Sequence, residues 1–310
     1  MQLTNRRVRL MGTVIDVSIY HEEPEPLLDQ VEALLHTYNK RFSANDDSSE
    51  LMKINKAAGL HPVTVHPELF ELISLGKWHS CQPGSHLNIA IGPLIQTWRI
   101  GFSDAKLPLP EEIRSLLDII NPNAILLSEE TQSVFLKVKG MKIDLGALAK
   151  GYIADRIADF LKAEKVTSAL INLGGNVLTF GPALHNPDHK WRIGIQNPKE
   201  TRNTNLMVLA IRDKSVVTSG IYERTFEIDG KTYHHIFDSQ TGSPVSSDLA
   251  SLTIISSLSV DGEIWTTRLF GSSLEHIFQE VSSQADLEAI IVDKDNHCFQ
   301  TGGIYKMRIS

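Results

Sequence analysis

Apolar positions recur at three- and four-residue steps over residues 24–38, at Leu27, Leu28, Val31, Leu34 and Leu35. That spacing predicts an amphipathic helix. Residues 48–55 predict a short capped helix, closed by Gly59. Another helix is expected over 67–80, with Leu69, Leu72, Ile73 and Gly76 facing inward and Pro83-Gly84-Ser85 breaking it. Ahead of these, residues 8–20 alternate like a strand interrupted at Gly12. The stretch Leu107-Pro108-Leu109-Pro110 leads into a helix over 111–120.

From Ala124 the pattern shortens to strands over 124–127, 134–138 and 142–145. A helix follows over 147–164, with Ala149, Ile153, Ile157 and Leu161 every fourth residue. Strands are then expected at 168–172, 177–180, 191–196, 206–211, 215–218, 225–228, 232–237 and 252–256, with Asp229-Gly230 as a hairpin turn. Helices over 262–270 and on to about 281 precede closing strands at 287–292 and the C-terminus. No repeat, low-complexity segment or long linker divides the chain.

Composition changes this picture little. Of 310 residues, 42% are hydrophobic and 22% charged, enough for a large core in one domain or two packed lobes. A formal charge of −7 without a Lys/Arg run argues against a nucleic-acid-binding surface. Cys81 and Cys298 lie far apart without zinc-like histidine spacing, so two reduced thiols are expected. Residues 1–12 are positive but lead into no long apolar stretch, and no run reaches about 18 apolar residues. No signal peptide, lipid anchor or membrane span is therefore expected, and the location is read as cytoplasmic.

Chemistry concentrates in five segments. In the first, Asp144-Leu145-Gly146 leads to Lys150-Gly151-Tyr152 and Asp155, with Asn172-Leu173-Gly174-Gly175-Asn176 beyond. A helix start exposes unpaired N–H groups and a positive dipole end, and Lys150 adds a mobile cation, which suits a phosphate or pyrophosphate. A plain strand–helix junction with a surface lysine is the alternative. The Gly-Lys-Ser/Thr ending of a P-loop is missing, and no G-x-G-x-x-G follows a strand. Second, Glu263 and Thr267 stand one helical turn apart and can offer a carboxylate and a hydroxyl to a hard cation such as Mg2+. An acid at a helix start with a back-bonded threonine would leave the same trace.

Third, His234 and His235 face opposite sides of one strand, which disfavours zinc. One of them is a candidate phosphate contact or general base, or a hydrogen-bonded structural histidine. Fourth, Thr218-Ser219-Gly220-Ile221-Tyr222-Glu223-Arg224 ends in an arginine able to clamp an anion. Fifth, His86-Leu87-Asn88-Ile89-Ala90-Ile91-Gly92-Pro93-Leu94 reads as a rigid loop suited to lining a flat pocket, with Trp98 expected in the core.

Taken in order, these segments resemble the FAD:protein FMN transferase family (ApbE). The resemblance starts at Met11-Gly12-Thr13 and includes Ser49-Glu50-Leu51 with Asn55, and Ile91-Gly92-Pro93-Leu94 with Trp98. It continues through the Asp144, Lys150, Leu173-Gly174-Gly175-Asn176, 218–224, His234-His235-Ile236 and Thr241-Gly242 motifs to residues 263–267. It implies a single domain over residues 1–310, a compact α+β unit of two strand-rich lobes with flanking helices and a flavin cleft between them. It also implies Mg2+-dependent transfer of FMN from FAD, the substrate, to a threonine hydroxyl of an acceptor protein, with release of AMP. By position, Met11, His86, Leu87, Asn88, Asp144, Lys150 and His235 would contact FAD. Ala147 through its carbonyl, Glu263 and Thr267 would hold Mg2+.

Asp144, Lys150 and His235 are then the expected catalytic groups, with His235 the candidate base for the threonine proton. The implied partners are FAD and an acceptor protein, with no nucleic acid and no membrane. Two other activities fit the same motifs: an FAD pyrophosphatase giving FMN and AMP, and a non-catalytic flavin-binding protein. Three positions depart from the family pattern: Glu263 where Asp is usual, Asn88 where Asp is common, and Ser239 where Pro is usual. The first can shift metal geometry, the second changes a flavin contact from acceptor-only to mixed, and the third is expected to be neutral. Many relatives are exported lipoproteins, so the acceptor here is expected to be cytosolic.

Overall fold

The computed structural model describes residues 2–309. Eight antiparallel strands form its main sheet, in the order Leu3–Leu10, Thr13–Tyr20, Ala169–Leu173, Asn176–Phe180, Ser215–Gly220, Leu249–Ser256, Glu288–Asp293 and Cys298–Gln300. Alternation sends Ile15, Val17 and Ile19 of the second strand to one face, where they join the largest core cluster. Tyr20, Val177, Val216 and Ile255 point to the other face, against the ribbon of Trp191–Gln196 and Asn205–Ile211. Leu249–Ser256 is buried at every position, as a strand covered on both faces must be.

Helices Pro24–Phe42, Pro67–Ser80, Ala149–Ala163 and Ser259–Leu269 bury their apolar faces in the larger cluster. A small sheet of Val63–Thr64, Ser133–Leu136 and Ile125–Ser128 packs into the same cluster through Ile125, Val134 and Leu136. The class is α+β, with the strands divided among an eight-stranded sheet, a three-stranded sheet and three two-stranded ribbons.

Several expectations change in detail. Residues 8–20 contribute to two paired strands, because Met11 (φ 54°) and Gly12 (φ 70°) form a tight turn between Leu10 and Thr13. Positive φ at both central positions is what a two-residue hairpin of this twist requires. Residues 142–145 form no strand: Lys142 makes one isolated bridge to Ile91, and Asp144 folds back on the Gly146 N–H at 2.7 Å. The supposed loop over 86–94 runs into a helix, Gly92–Trp98, whose start presses on Lys142 so closely that a Cβ at Gly92 would stand 2.7 Å from its carbonyl oxygen. The C-terminal segment ends, after Cys298–Gln300, in the 3-10 turn Gly302–Lys306.

Two turns mark the sheet end that carries the site. Gly174 (φ 65°) and Gly175 (φ 97°) link Leu173 to Asn176, and the register Ile15↔Leu173 sets this turn beside the Met11-Gly12 hairpin.

Candidate functional site

The site is organised by two helices that approach unusually closely. A Cβ on Gly151 would stand 2.5 Å from the Ser259 carbonyl oxygen and 2.7 Å from the Val260 Cα, both backbone atoms that cannot yield. Gly151 is therefore a contact residue inside the helix. One turn later, buried Asp155 accepts the backbone N–H groups of Ser259 at 2.8 Å and Val260 at 2.9 Å. Those are first-turn donors with no partner in their own helix.

The second helix starts at Ser259, three residues earlier than its pattern suggests, so Glu263 lies in its second turn. Glu263 is buried, and its Oε1 pairs ionically with Lys150 Nζ at 2.9 Å and accepts a hydrogen bond from Asn176 Nδ2 at 3.0 Å. Thr266, the neighbour of the expected threonine, bonds back to the Glu263 carbonyl at 3.1 Å. Half-buried Thr267 stands one turn beyond Glu263, and Ala147 is half-buried just before the helix that carries Lys150. A carboxylate, a hydroxyl and a carbonyl are hard oxygen donors of the kind Mg2+ takes alongside phosphate oxygens and water. The donor set therefore fits the metal. Among the described residues, no group of three or more His, Cys, Asp or Glu converges on a point, so a cation here would rest on this mixed set.

His235 is half-buried, and its Nδ1–H donates to the Arg224 carbonyl at 3.3 Å. Burial first, then the Arg224 guanidinium, push its pKa down to about 4, with Lys150 contributing. The imidazole stays neutral near pH 7, and this tautomer leaves Nε2 as an acceptor. His234 is occupied structurally: Nε2 meets the Val245 carbonyl at 3.1 Å and Nδ1 accepts the Ile236 N–H at 3.3 Å. Burial raises the Asp144 pKa, opposed by the Gly146 N–H and by Arg224. Arg224 thus acts on both Asp144 and His235, and Lys150 also acts on His235.

The 86–88 segment divides. His86 donates its N–H to the Arg268 carbonyl at 3.1 Å, and its ring leaves no room for a Cβ at Gly271. Burial lowers its pKa while Asp238 opposes. Leu87 lies in the core. The buried Asn88 spends its amide on the Ile120 carbonyl at 2.8 Å and its oxygen on the Ala90 N–H at 2.8 Å. Met11 is half-buried at the hairpin turn.

The fold thus pairs Lys150 with Glu263 and turns the Leu87 and Asn88 side chains away into packing. Trp98 is core, donating to the Gly242 carbonyl at 3.0 Å. Sequence reasoning assigned no role to Asn176 or Asp155. Both sat inside quoted motifs, but their partners are 87 and 104 residues away.

An α+β protein in which a lysine at a helix start pairs with a buried carboxylate has groups suited to holding a phosphorylated ligand. The chain belongs to the ApbE family, whose profile matches residues 11–291. An FAD:protein FMN transferase of Klebsiella pneumoniae (strain 342) is 44% identical over 286 residues, covering 92% of this chain and 88% of its own. Another, of Treponema pallidum (strain Nichols), is 32% identical over 315 residues, covering 97% and 87%. The fold is similar to that of an ApbE protein from Thermotoga maritima, with a TM-score of 0.91 at 24% identity over the full length of both chains. The flavin transferase ApbE from Vibrio cholerae gives 0.86 at 20% identity over 99% of each. At these identities the two structures establish a shared fold. No helix among the described residues is long and apolar enough to cross a membrane.

Proposed function

We propose that this protein transfers FMN from FAD to an acceptor protein, at a threonine hydroxyl, with Mg2+ and release of AMP. The observation that carries this is the 44% identity, over nearly the whole chain, to a relative named FAD:protein FMN transferase. The paired Lys150 and Glu263 beside neutral His235 support it chemically.

In this reaction Lys150 and the start of its helix bind the pyrophosphate. Glu263, Thr267 and the Ala147 carbonyl would hold Mg2+, which when bound neutralises pyrophosphate charge and helps align it. His235, fixed by the Arg224 carbonyl, presents Nε2 to take the acceptor hydroxyl proton. The threonine oxygen attacks the FMN phosphorus, the pyrophosphate bond breaks, and AMP leaves with that electron pair. Arg224 and Asp144 set the local charge in which the phosphates are held.

Intact-mass spectrometry of a threonine-bearing acceptor domain, incubated with the protein, FAD and Mg2+, tests this. A gain equal to one FMN phosphoester, lost with a chelator, is expected. FMN and AMP without a modified acceptor would point to hydrolysis instead. Glu263→Ala and Thr267→Ala are each expected to abolish Mg2+-dependent AMP release while FAD binding persists. Unchanged release in either would remove that residue from the metal set.

A further inference from the structure

A circuit of hydrogen bonds and one ion pair, completed along a shared helix, links the two site helices. Lys150 forms an ion pair with Glu263 Oε1, and Asn176 donates a hydrogen bond to the same oxygen. The Asn176 oxygen accepts the Ser259 hydroxyl, and the Ser259 N–H donates to Asp155. Asp155 returns to Lys150 along their common helix. Apart from Lys150 every member is buried: Ser259 is 0%, Asn176 2%, Glu263 4% and Asp155 5% exposed.

Burying so many polar groups where two helices touch is costly unless each is paired, and apolar packing alone would join the helices. Burial pushes Asp155 up to about 6 against the pull of its two N–H donors, so the contact is kept at a cost. Asp155 spends both oxygens on the first turn of Ser259–Leu269, and Asn176 uses its oxygen and its amide within the circuit. Their effect on ligands therefore runs through the helix that carries Glu263 and Thr267.

We propose that Asp155 and Asn176 are positioning residues that fix the Glu263 carboxylate relative to Lys150 and thereby set the site's affinity for its divalent cation. The inference rests on the proposed transfer reaction. Asp155 pins the start of the helix, so a slide or rotation that would displace Glu263 and Thr267 together is blocked. Asn176 and Lys150 both hold Oε1, so Oε2 is the oxygen left to donate.

Asp155→Asn and Asn176→Ser test this by two readouts: the rise in melting temperature on adding Mg2+ without FAD, and the Mg2+ concentration for half-maximal AMP release. In both variants the Mg2+ requirement is expected to rise about tenfold or more, with a correspondingly weaker melting shift. The KM for FAD and FAD binding by flavin fluorescence should stay at wild-type values. A lower melting temperature with an unchanged Mg2+ requirement would make the circuit a packing device and overturn the proposal. If Asp155→Asn does not fold, Ser259→Ala decides, because it keeps the backbone donor to Asp155 and removes the hydroxyl that joins Asn176 and Ser215. Its Mg2+ requirement should rise severalfold, and a wild-type value would overturn the proposal. A wild-type protein with no Mg2+-dependent FAD turnover would sink the transfer reaction itself. An active wild type with unaltered variants would sink only the positioning roles.

Discussion

His235 is the residue whose environment makes the sharpest statement about pH. Its pKa falls from the usual 6.5 to about 4, through burial and then Arg224. The unfolded chain takes up the proton as pH drops through 6.5, while the folded protein resists until about 4. The stability due to the neutral ring is thus complete above 6.5 and lost as pH falls toward and through 4. His79, lowered to about 4 by burial beside Arg268, adds to the same loss. For turnover, the acid limb of kcat/KM for FAD should lie near pH 4 rather than 6.5, and His235→Ala should lower kcat by about 10²–10⁴. A wild-type limb at 6.5 would remove His235 as the base. Strand alternation separated His234 from His235 in the sequence, but it did not say which one faces the site. That depends on Val245, whose carbonyl occupies His234 only after the chain has turned back.

At the scale of elements, local periodicity carried the long helices. Leu27 to Leu35 and Ala149 to Leu161 repeat on one face, and both helices form where that repeat lies. Helix Gly92–Trp98 and the turn at Asp144 escaped because their conformation answers to each other: Gly92 presses on Lys142, and Asp144 donates its N–H to the Ile89 carbonyl at 2.9 Å. Gly151 shows the same limit. Its motif suggested phosphate chemistry, but its lack of a side chain serves the approach to Ser259. Gly151→Ala should therefore destabilise the fold by about 1–3 kcal/mol, as forced overpacking does. Because the helices would part at Asp155, the Mg2+ requirement should rise with it. Urea denaturation and Mg2+ titration of AMP release check the two effects. A stable variant with wild-type Mg2+ dependence would show that the helices can separate there without consequence for Glu263.

For the whole molecule, the motifs were legible one by one, but their meeting was not, because it depends on sheet order. Strands Ala169–Leu173 and Asn176–Phe180 lie between the N-terminal hairpin and Ser215–Gly220, so Asn176 comes to a helix that begins at Ser259. The same order threads the largest core cluster from Ile15 to Ile291, through the eight- and three-stranded sheets and the four helices packed on them. Lys150 and Glu263 meet between two of those helices, so their pairing depends on that shared core. Unfolding is expected to be a single transition that FAD with Mg2+ shifts as a whole, by about 2.7 kcal/mol at free FAD a hundredfold above its Kd. Differential scanning calorimetry with and without FAD measures it. Two transitions, with FAD moving only one, would mean that the chain is built of two units and that the flavin is held within one of them.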